Sequence, residues 1–396
     1  MTADAAPFPL DGVRVLDLSR AVAGPYAGRL LSDLGADVVK VELPGADVTQ
    51  VFGARRNGHS GLYLQQNAGK RNVSVDLTSA GGAGLLTRLA AQADVVIENF
   101  RPGTLDRLGV GYAVLSAARP ALILLSITGF GQWGPESMRR AYAHVVHAET
   151  GLIGRQAEAD GEPPRDVVIS LADSVTALHG TIAVLAALRM RDQTGTGQHI
   201  DLSMFEAMLA TDDHVHYSLD GVPPKPTRGL IYPAPGGPVL VSGEPRYIWR
   251  TLRDGAGLRD PDPAAPADAR IAARTQLVRG WFAGFTDRAQ LIAELERLGL
   301  AWADVRDPAT VLQSPTAVAR EVAAQVDDRA GGTRAVIRTP YRFSAAASEP
   351  RGGAAYVGEH NAGVLAEWLD LNDQAVADLV TSGVLLEPGR PAGEPG

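Results

Sequence analysis

The sequence predicts an α/β protein built on a parallel sheet, because short apolar segments alternate with helical ones over the first 200 residues. The apolar segments are rich in Val, Ile and Leu without strict alternation, which is typical of strands buried on both faces. We expect strands at 13–18, 36–42, 72–77, 93–99 and 121–128, with helices between them such as 27–34 and 81–91. A repeated strand–helix–strand order forms parallel pairs with right-handed crossovers.

The second half of the chain predicts a smaller domain and a return to the first. A helix is expected at about 173–190, followed by a strand at 200–202 and a further helix through Ala210. The segment 221–229 holds closely spaced prolines, which resist both helix and sheet and indicate a linker. The sequence therefore predicts a large domain (1–220), this linker, a small α+β domain (230–330), a segment that returns to the large domain (331–386) and a disordered tail (387–396).

Within those later regions, individual elements can also be predicted. They are a strand at 239–241, helices at 246–252 and within 270–300, strands at 335–338 and 341–344, and helices at 361–369 and 373–379.

Composition excludes several classes of function. The 396 residues include no cysteine, which rules out disulfides, iron–sulfur clusters, cysteine–zinc sites and a cysteine nucleophile. A net charge of −8 argues against a general nucleic-acid surface, although a local cationic pocket is compatible with it. No apolar run of the length of a membrane span is apparent, and the N-terminus lacks a basic leader and an apolar segment. We therefore expect a cytoplasmic protein without a membrane or nucleic-acid partner.

One motif is misleading. Residues 129–134 read Gly-Phe-Gly-Gln-Trp-Gly, a G-x-G-x-x-G sequence after a predicted strand. A dinucleotide fingerprint belongs after the first strand of its unit and opens a helix, whereas this one follows the fifth strand and continues as a loop. A glycine turn that lets backbone approach a ligand or another segment is the better interpretation.

Asp173 and two histidines are candidate chemical groups. Asp173 lies between an apolar run and a long helix, so the residues alone favour a helix N-cap. The same position would keep a carboxylate nucleophile ionised through the helix dipole. His144 and His147 are i, i+3 neighbours, but a metal site needs three or four converging ligands. A solvated surface pair is the favoured interpretation, and no metal is predicted.

Cationic turns at predicted strand ends indicate an anionic ligand. Residues 67–72 read NAGKRN, a glycine turn with Lys70 and Arg71 adjacent, which by itself fits a phosphate-binding turn and a solvated turn equally well. Arg101 and Arg107 flank another turn, Pro102-Gly103. Ligands of open α/β sheets bind at the carboxyl ends of the strands. Only three of the 37 basic residues are lysine, so an anion clamp here would consist mainly of arginine.

Taken in order, these segments resemble the class III CoA-transferase family, which includes formyl-CoA transferase, the carnitine CoA-transferases and α-methylacyl-CoA racemase. The matching stretches run through most of the chain and are LDGVRVLDLSRAVAGPYAGRLLSDLGADVVKVELPG (10–45), NAGKRNVSVDL (67–77), ADVVIENFRPGTLDRLGVGY (93–112), SITGFGQWGP (126–135), AYAHVVHAETGLIG (141–154), LADSVTALHGTIAVLAALRMRDQTGTGQHIDLSMFEAML (171–209) and VGEHNAGVL (357–365).

The resemblance implies a fold, an activity and a site. It implies a Rossmann-like large domain, a smaller domain and an interlocked homodimer that moves CoA from an acyl-CoA to a carboxylic acid. Asp173 would be the nucleophile, forming an anhydride and then an aspartyl-CoA thioester, with Tyr142 as the second catalytic residue. Positions that contact CoA in the family match Asn67, Lys70, Arg71, Asn99, Phe100, Arg107, Arg140 and Tyr142. CoA enters as part of the acyl-CoA substrate.

The chain also departs from the family pattern. Ala143 replaces the acidic residue that usually follows the motif tyrosine, His147 replaces a glutamine, and Val22 stands where formyl-CoA transferase has an active-site glutamine. The glycine-rich loop after the linker is shortened. Two alternatives therefore stay open, a 2-methylacyl-CoA racemase, whose motif histidine would be displaced to His144, and a CoA-binding protein with altered activity.

Overall fold

A computed structural model describes residues 6–45, 47–222, 229–260, 262–387 and 389. The chain divides into two compact units. The large unit comprises Met1–Asp213 and Arg320–Gly396, and the small unit comprises His214–Ala319. The sequence places these boundaries near 220 and 330. Most of the predicted linker and nearly all of the predicted tail lie outside the described residues.

The first part of the large unit carries its parallel sheet. In chain order its elements are β1 (Arg14–Asp17), α1 (Ala23–Asp33), β2 (Asp37–Glu42), β3 (Arg55–Arg56), β4 (His59–Ser60), α2 (Gly61–Asn67), β5 (Arg71–Ser74), α3 (Gly82–Ala90), β6 (Val95–Glu98), α4 (Thr104–Arg107), α5 (Tyr112–Ala118), β7 (Ile123–Thr128), α6 (Ala143–Glu149), α7 (Leu152–Asp160), α8 (Leu171–Thr194), β8 (His199–Ser203) and α9 (Met204–Thr211).

The six-stranded sheet has the order β5-β2-β1-β6-β7-β8, and every neighbouring pair is parallel. This confirms the predicted parallel α/β sheet. The four residues of β6 and the six of β7 are all buried, whereas the edge strand β8 alternates. Alternate residues of the inner strands enter different hydrophobic clusters, Leu16 with Val39 on one side and Val15 with Val38 on the other. A doubly wound sheet packed on both faces follows from that pattern.

The strand order reverses direction between β1 and β6. From β1 the chain first adds β2 and β5 on one side and later adds β6, β7 and β8 on the other. The loops after β1 and β6 therefore part at the carboxyl edge of the sheet and leave a crevice there. Open α/β sheets bind their ligands at such a switch point.

The small unit has its own sheet and core. Its elements are α10 (Val215–Leu219), β9 (Leu230–Tyr232), β10 (Val239–Val241), α11 (Pro245–Gly255), α12 (Ala267–Ala283), α13 (Arg288–Arg297), β11 (Trp302–Asp304) and α14 (Pro315–Ala319). The strands form an antiparallel sheet in the order β11-β10-β9. Tyr232 and Phe282 stack in the core with ring centroids 4.1 Å apart.

The last segment belongs to the large unit. It contains the hairpin β12 (Ala323–Asp327) and β13 (Thr333–Ile337), then α15 (Asn361–Leu369) and α16 (Asp373–Thr381). Val364, Leu365 and Trp368 of α15 join the cluster that covers one face of the parallel sheet. The predicted strand at 341–344 is wrong, since that stretch follows Pro340 as irregular backbone and the partner of β13 is β12 instead.

The helix α8 corrects one expectation from composition. By length and mean hydropathy it is able to span a membrane, contrary to the expectation that no stretch is. The core helix of a globular protein passes the same test, and nine residues of α8 are buried within the large unit. Its polar first turn contains Asp173.

Candidate functional site

A cavity of about 240 Å³ opens at the switch point of the sheet. Loops after three adjacent strands and the start of α8 form its walls. The lining includes Ala21 and Ala23 after β1, Asn99, Phe100, Arg101 and Pro102 after β6, Thr128 and Gly129 at the end of β7, the segment with Arg139, Arg140 and Tyr142, and Asp173. Its volume is below the roughly 300–1,000 Å³ of pockets that enclose a whole drug-sized ligand, so it suits the reacting end of a larger one. We call it the Asp173 cavity.

Asp173 is held in the first turn of a long helix and is half-buried. The N-cap of α8 is Ser170, so the interpretation of Asp173 as the N-cap is wrong. Burial raises the pKa of the Asp173 carboxyl to about 6, while a hydrogen bond from the backbone N–H of Ala23 acts in the opposite direction. The carboxyl thus lies beside the first turns of both α1 and α8, where the helix dipoles favour its anionic form.

The loop after β1 is fastened to the loop after β6. The Asn99 side chain accepts a hydrogen bond from the Arg20 N–H at 2.8 Å and donates one to the Arg20 carbonyl at 2.7 Å. Next to it, Ala21 has a φ of +64°, a strained conformation for alanine, and its N–H donates to Asp47 at 3.2 Å. Strained backbone concentrates at functional sites, where surrounding contacts enforce it. Here the strained residue directly precedes the start of α1, whose Ala23 N–H reaches the Asp173 carboxyl.

The loop after β6 has a second anchor. The Phe100 N–H donates to the buried Glu98 carboxylate at 2.8 Å. Burial raises the pKa of Glu98 to about 7, with hydrogen bonds from Ser126 and Phe100 opposing. Phe100 is therefore placed on the cavity wall by a carboxyl group beneath it.

Three arginines give the cavity a positive wall. Arg139 pairs with Glu136 at 3.3 Å and with Glu149, and its guanidinium lies over the Phe130 ring at 5.2 Å. Arg101 and Arg140 have no ion-pair partner within the part of the chain that the structure describes. They are exposed at the cavity and are available to an anion.

Thr128 is a cavity residue that sequence reasoning missed. Its side chain is 7% exposed, and its Oγ1 has no hydrogen-bond partner among the described residues. A buried hydroxyl without a partner carries a desolvation cost, which a ligand in the cavity would relieve. Its position as the last residue of a buried strand could have indicated a site residue, since the carboxyl ends of such strands face the ligand crevice.

A model of CoA-transferase family III matches residues 10–361. The chain belongs to this family of CoA-transferases. The succinyl-CoA–L-malate CoA-transferase β subunit of Chloroflexus aurantiacus is 31% identical, over 96% of this chain and 98% of that protein. The succinate–glutarate CoA-transferase of Agrobacterium fabrum is also 31% identical, over 91% and 95%.

Solved structures of the family have the same fold. A CaiB/BaiF family protein from Brucella suis is 33% identical, with a TM-score of 0.79 over 91% of this chain and all of that one. The family assignment made from the sequence motifs is thereby confirmed.

Four of the predicted site residues besides Asp173 line the same cavity. They are Asn99, Phe100, Arg140 and Tyr142. Tyr142 is 67% exposed and directly precedes α6, beside Arg140. The structure thus brings the predicted nucleophile together with half of the predicted CoA contacts. The individual roles of these residues stay predictions.

The turn at 67–71 is not part of this cavity. Lys70 is buried, and its ammonium donates to Asp17 at 2.7 Å, to the Pro25 carbonyl at 2.8 Å and to Asn67 at 3.0 Å. These three bonds use all of its donors. Arg71 pairs with Asp37 and, at 2.7 Å, with Glu367. The Lys70 and Asn67 side chains stabilise the sheet edge in this structure, and their role in CoA binding stays a prediction.

Arg107 lies beside a second cavity of about 200 Å³ that shares Arg101 with the first. Its guanidinium donates to Thr104 at 2.9 Å and is otherwise exposed. Arg101 thus links the Asp173 cavity with the surface that carries Arg107. An extended anionic ligand that starts at Asp173 could follow these arginines.

The two histidines differ from the expected surface pair. His147 is fully buried and its Nδ1 lies 2.8 Å from Asp166, whose other oxygen contacts His144. The interpretation of the pair as a solvated surface is therefore wrong for His147 and fits only the exposed His144. With Asp166 the two rings form a group of three possible metal ligands.

Proposed function

We propose that the protein transfers CoA from an acyl-CoA to a carboxylic acid by way of covalent intermediates on Asp173. The observation that carries this proposal is the placement of Asp173. A carboxylate with a pKa near 6 lies at two helix starts, inside a cavity whose arginine wall suits anionic substrates. The names of the relatives, which are CoA-transferases acting on succinyl-CoA or succinate, support the same reaction.

The proposed reaction proceeds through balanced acyl transfers. An Asp173 oxygen attacks the thioester carbonyl, the C–S bond breaks, and a mixed anhydride and the CoA thiolate form. The thiolate attacks the aspartyl carbonyl, which releases the donor acid and leaves an aspartyl-CoA thioester. The acceptor carboxylate then attacks the carbonyl of this thioester, the C–S bond breaks, and a second anhydride and the CoA thiolate form. Thiolate attack on the acceptor acyl carbon yields the new acyl-CoA and frees Asp173.

We propose that the acyl groups are those of dicarboxylic acids. Arg101 and Arg140 offer guanidinium groups at the cavity that no described carboxylate neutralises. A second carboxylate on the acyl group would pair with one of them, since guanidinium and carboxylate groups match in a bidentate geometry. The relatives named for malate and glutarate act on acids of this class.

The racemase alternative has less support. It requires a histidine opposite Asp173, and no histidine occurs among the residues that line the described cavity. His144 is exposed and contacts Asp166 instead.

Trapping the covalent intermediate tests the proposed function. We expect that incubation with succinyl-CoA followed by hydroxylamine converts Asp173 to a hydroxamate. Trypsin releases this residue in the peptide 166–189, in which Asp166 is the other carboxylate and is distinguished by fragmentation. The isosteric Asp173→Asn chain should give no label and no transfer.

Two results would contradict the proposal. One is transfer by Asp173→Asn at the wild-type rate. The other is exchange of the acyl α-hydrogen with deuterium from solvent, without label on the peptide, which would favour the racemase.

A further inference from the structure

A buried histidine connects a surface loop to the start of the helix that carries Asp173. His147 lies on α6 and is fully buried. On one side its Nδ1 is 2.8 Å from a carboxylate oxygen of Asp166. On the other side its Nε2 accepts a hydrogen bond from the backbone N–H of Ala172 at 3.1 Å. Ala172 is the residue immediately before Asp173.

These contacts fix the state of the imidazole. A backbone N–H can only donate, so Nε2 of His147 carries no proton. The single proton of the neutral ring is then on Nδ1 and points at Asp166, an arrangement in which a carboxylate selects the tautomer. A metal ion on Nδ1 would move that proton to Nε2, opposite the Ala172 N–H. The hydrogen-bonded arrangement therefore argues against a metal among His144, His147 and Asp166.

The start of α8 depends on this contact because its own cap is incomplete. The first N–H groups of a helix have no partner within the helix, and the side chain of the residue before the helix usually supplies one. Ser170 is in that place, but its side chain makes no capping hydrogen bond. His147 supplies an acceptor from another helix, at a buried N–H.

We propose that His147, oriented by Asp166, is a positioning residue that fixes the first turn of α8 and thereby the Asp173 carboxylate. The proposal rests on the proposed role of Asp173 as the nucleophile. His147 is absent from the lining of the described cavity, so it acts through the helix and not on the substrate. Its loss should reduce turnover and leave binding of the acyl-CoA intact.

The experiment compares three substitutions at the two histidines. His147→Leu removes the acceptor and is expected to lower kcat about 10- to 100-fold, because a displacement of about 1 Å at a reacting group costs about 100-fold. The KM for succinyl-CoA should change less than about twofold. His147→Gln can accept from Ala172 with its carbonyl and donate to Asp166 with its amide, so it should restore kcat to within about threefold. His144→Ala is the matched control, since it removes the other partner of Asp166 without touching α8.

The outcomes separate this inference from the proposed function. A folded His147→Leu chain with wild-type kcat would contradict the positioning role of His147. An active Asp173→Asn chain would instead contradict the proposal that Asp173 is the nucleophile. If His147→Leu does not fold, Asp166→Ala decides, because Asp166 is exposed and on a loop. It should lower kcat several-fold at unchanged KM, and an unchanged kcat would refute the proposal. Equal losses in kcat for His147→Leu and His147→Gln would refute it as well.

Discussion

At the residue scale, the properties of Asp173 follow from two opposing influences. Burial disfavours its charge and raises its pKa from the ordinary 3.8 to about 6, while a hydrogen bond from the Ala23 N–H favours the charge. A carboxylate in this range is a stronger base than a solvated one and is still ionised at neutral pH. A buried carboxylate of this kind lowers the stability of the folded protein, a cost that is common at functional sites.

That cost predicts a pH-dependent difference between the wild type and Asp173→Asn. The folded-state pKa of Asp173, about 6, exceeds the unfolded value. The contribution of this carboxyl group to the free energy of unfolding is therefore most favourable below about pH 4, where the group is neutral, and it is lost as the pH rises through 6. The loss is at most on the order of 3 kcal/mol, since each pKa unit is worth about 1.4 kcal/mol and residual solvent screens it. Asparagine carries no such charge. We expect its Tm to exceed that of the wild type at pH 8 by several degrees.

Thermal unfolding of both chains between pH 4 and pH 8 measures this effect. The difference in Tm should shrink as the pH falls, because both side chains are then neutral. A difference that is constant over this range would show that Asp173 has an ordinary pKa in the folded protein.

At the scale of elements, a buried ion pair joins α1, β1 and the start of β5. Burial alone would raise the pKa of the Asp17 carboxyl, but the ammonium groups of Lys70 and Lys40 outweigh it and keep this pKa below its usual value. The pair packs against Gly28 of α1, where a Cβ would lie 2.7 Å from the Asp17 carboxylate. Only glycine allows the helix to approach so closely.

This pair predicts the effect of Lys70→Met. The substitution leaves Asp17 charged and buried without its partner, which typically costs about 3–5 kcal/mol. Urea unfolding should show this loss, and Asp17→Asn combined with Lys70→Met should recover part of it. Arg71→Met is the control, because its half-exposed pairs with Asp37 and Glu367 are worth about 1 kcal/mol or less. An unchanged unfolding free energy together with a raised KM for acyl-CoA would instead show that Lys70 is a CoA ligand.

The same elements show what the sequence could and could not predict. The strands of the parallel sheet were predictable because residues buried on both faces leave continuous apolar runs, as in β6 and β7. The contact of Lys70 with Asp17 was not, because the two residues are 53 positions apart and only the fold brings them together. β12 was missed for a different reason, since Val326 is its one buried residue and gives too weak a pattern.

The site was predictable in part for comparable reasons. Asn99, Phe100, Arg140 and Tyr142 lie in motifs that the family shares, and the structure places them on the cavity with Asp173. Arg101 was predictable from its cationic turn at a strand end, and it lines the cavity as well. Thr128 carries no unusual local pattern, and its importance follows from the sheet order that exposes the end of β7. The contact of His147 with α8 could not be predicted from the sequence, because its partner is a backbone N–H group and not a side chain.

At the scale of the whole molecule, the doubly wound sheet determines where the chemistry can occur. Parallel strands β1, β6 and β7 end at one edge, and their loops supply the walls of the Asp173 cavity. Asp173, the proposed nucleophile, comes from the long helix α8, whose buried side packs in the large unit. One helix therefore connects Asp173 with the core that covers the sheet.

The other side of α8 predicts the oligomeric state. Leu178, Ile182 and Leu185 lie at i, i+4 and i+7 on this helix and are 42%, 63% and 37% exposed. An apolar helix face left in water is unfavourable, and a second copy of the chain is the partner that the family resemblance implies. We expect the purified protein to sediment at twice 41.6 kDa at micromolar concentration.

Ile182→Glu would place a charge in this interface and should cause dissociation at concentrations at which the wild type is a dimer, whereas Val114→Glu on α5 should not. A wild-type chain that sediments as a monomer would contradict this prediction and leave the apolar face of α8 to another contact.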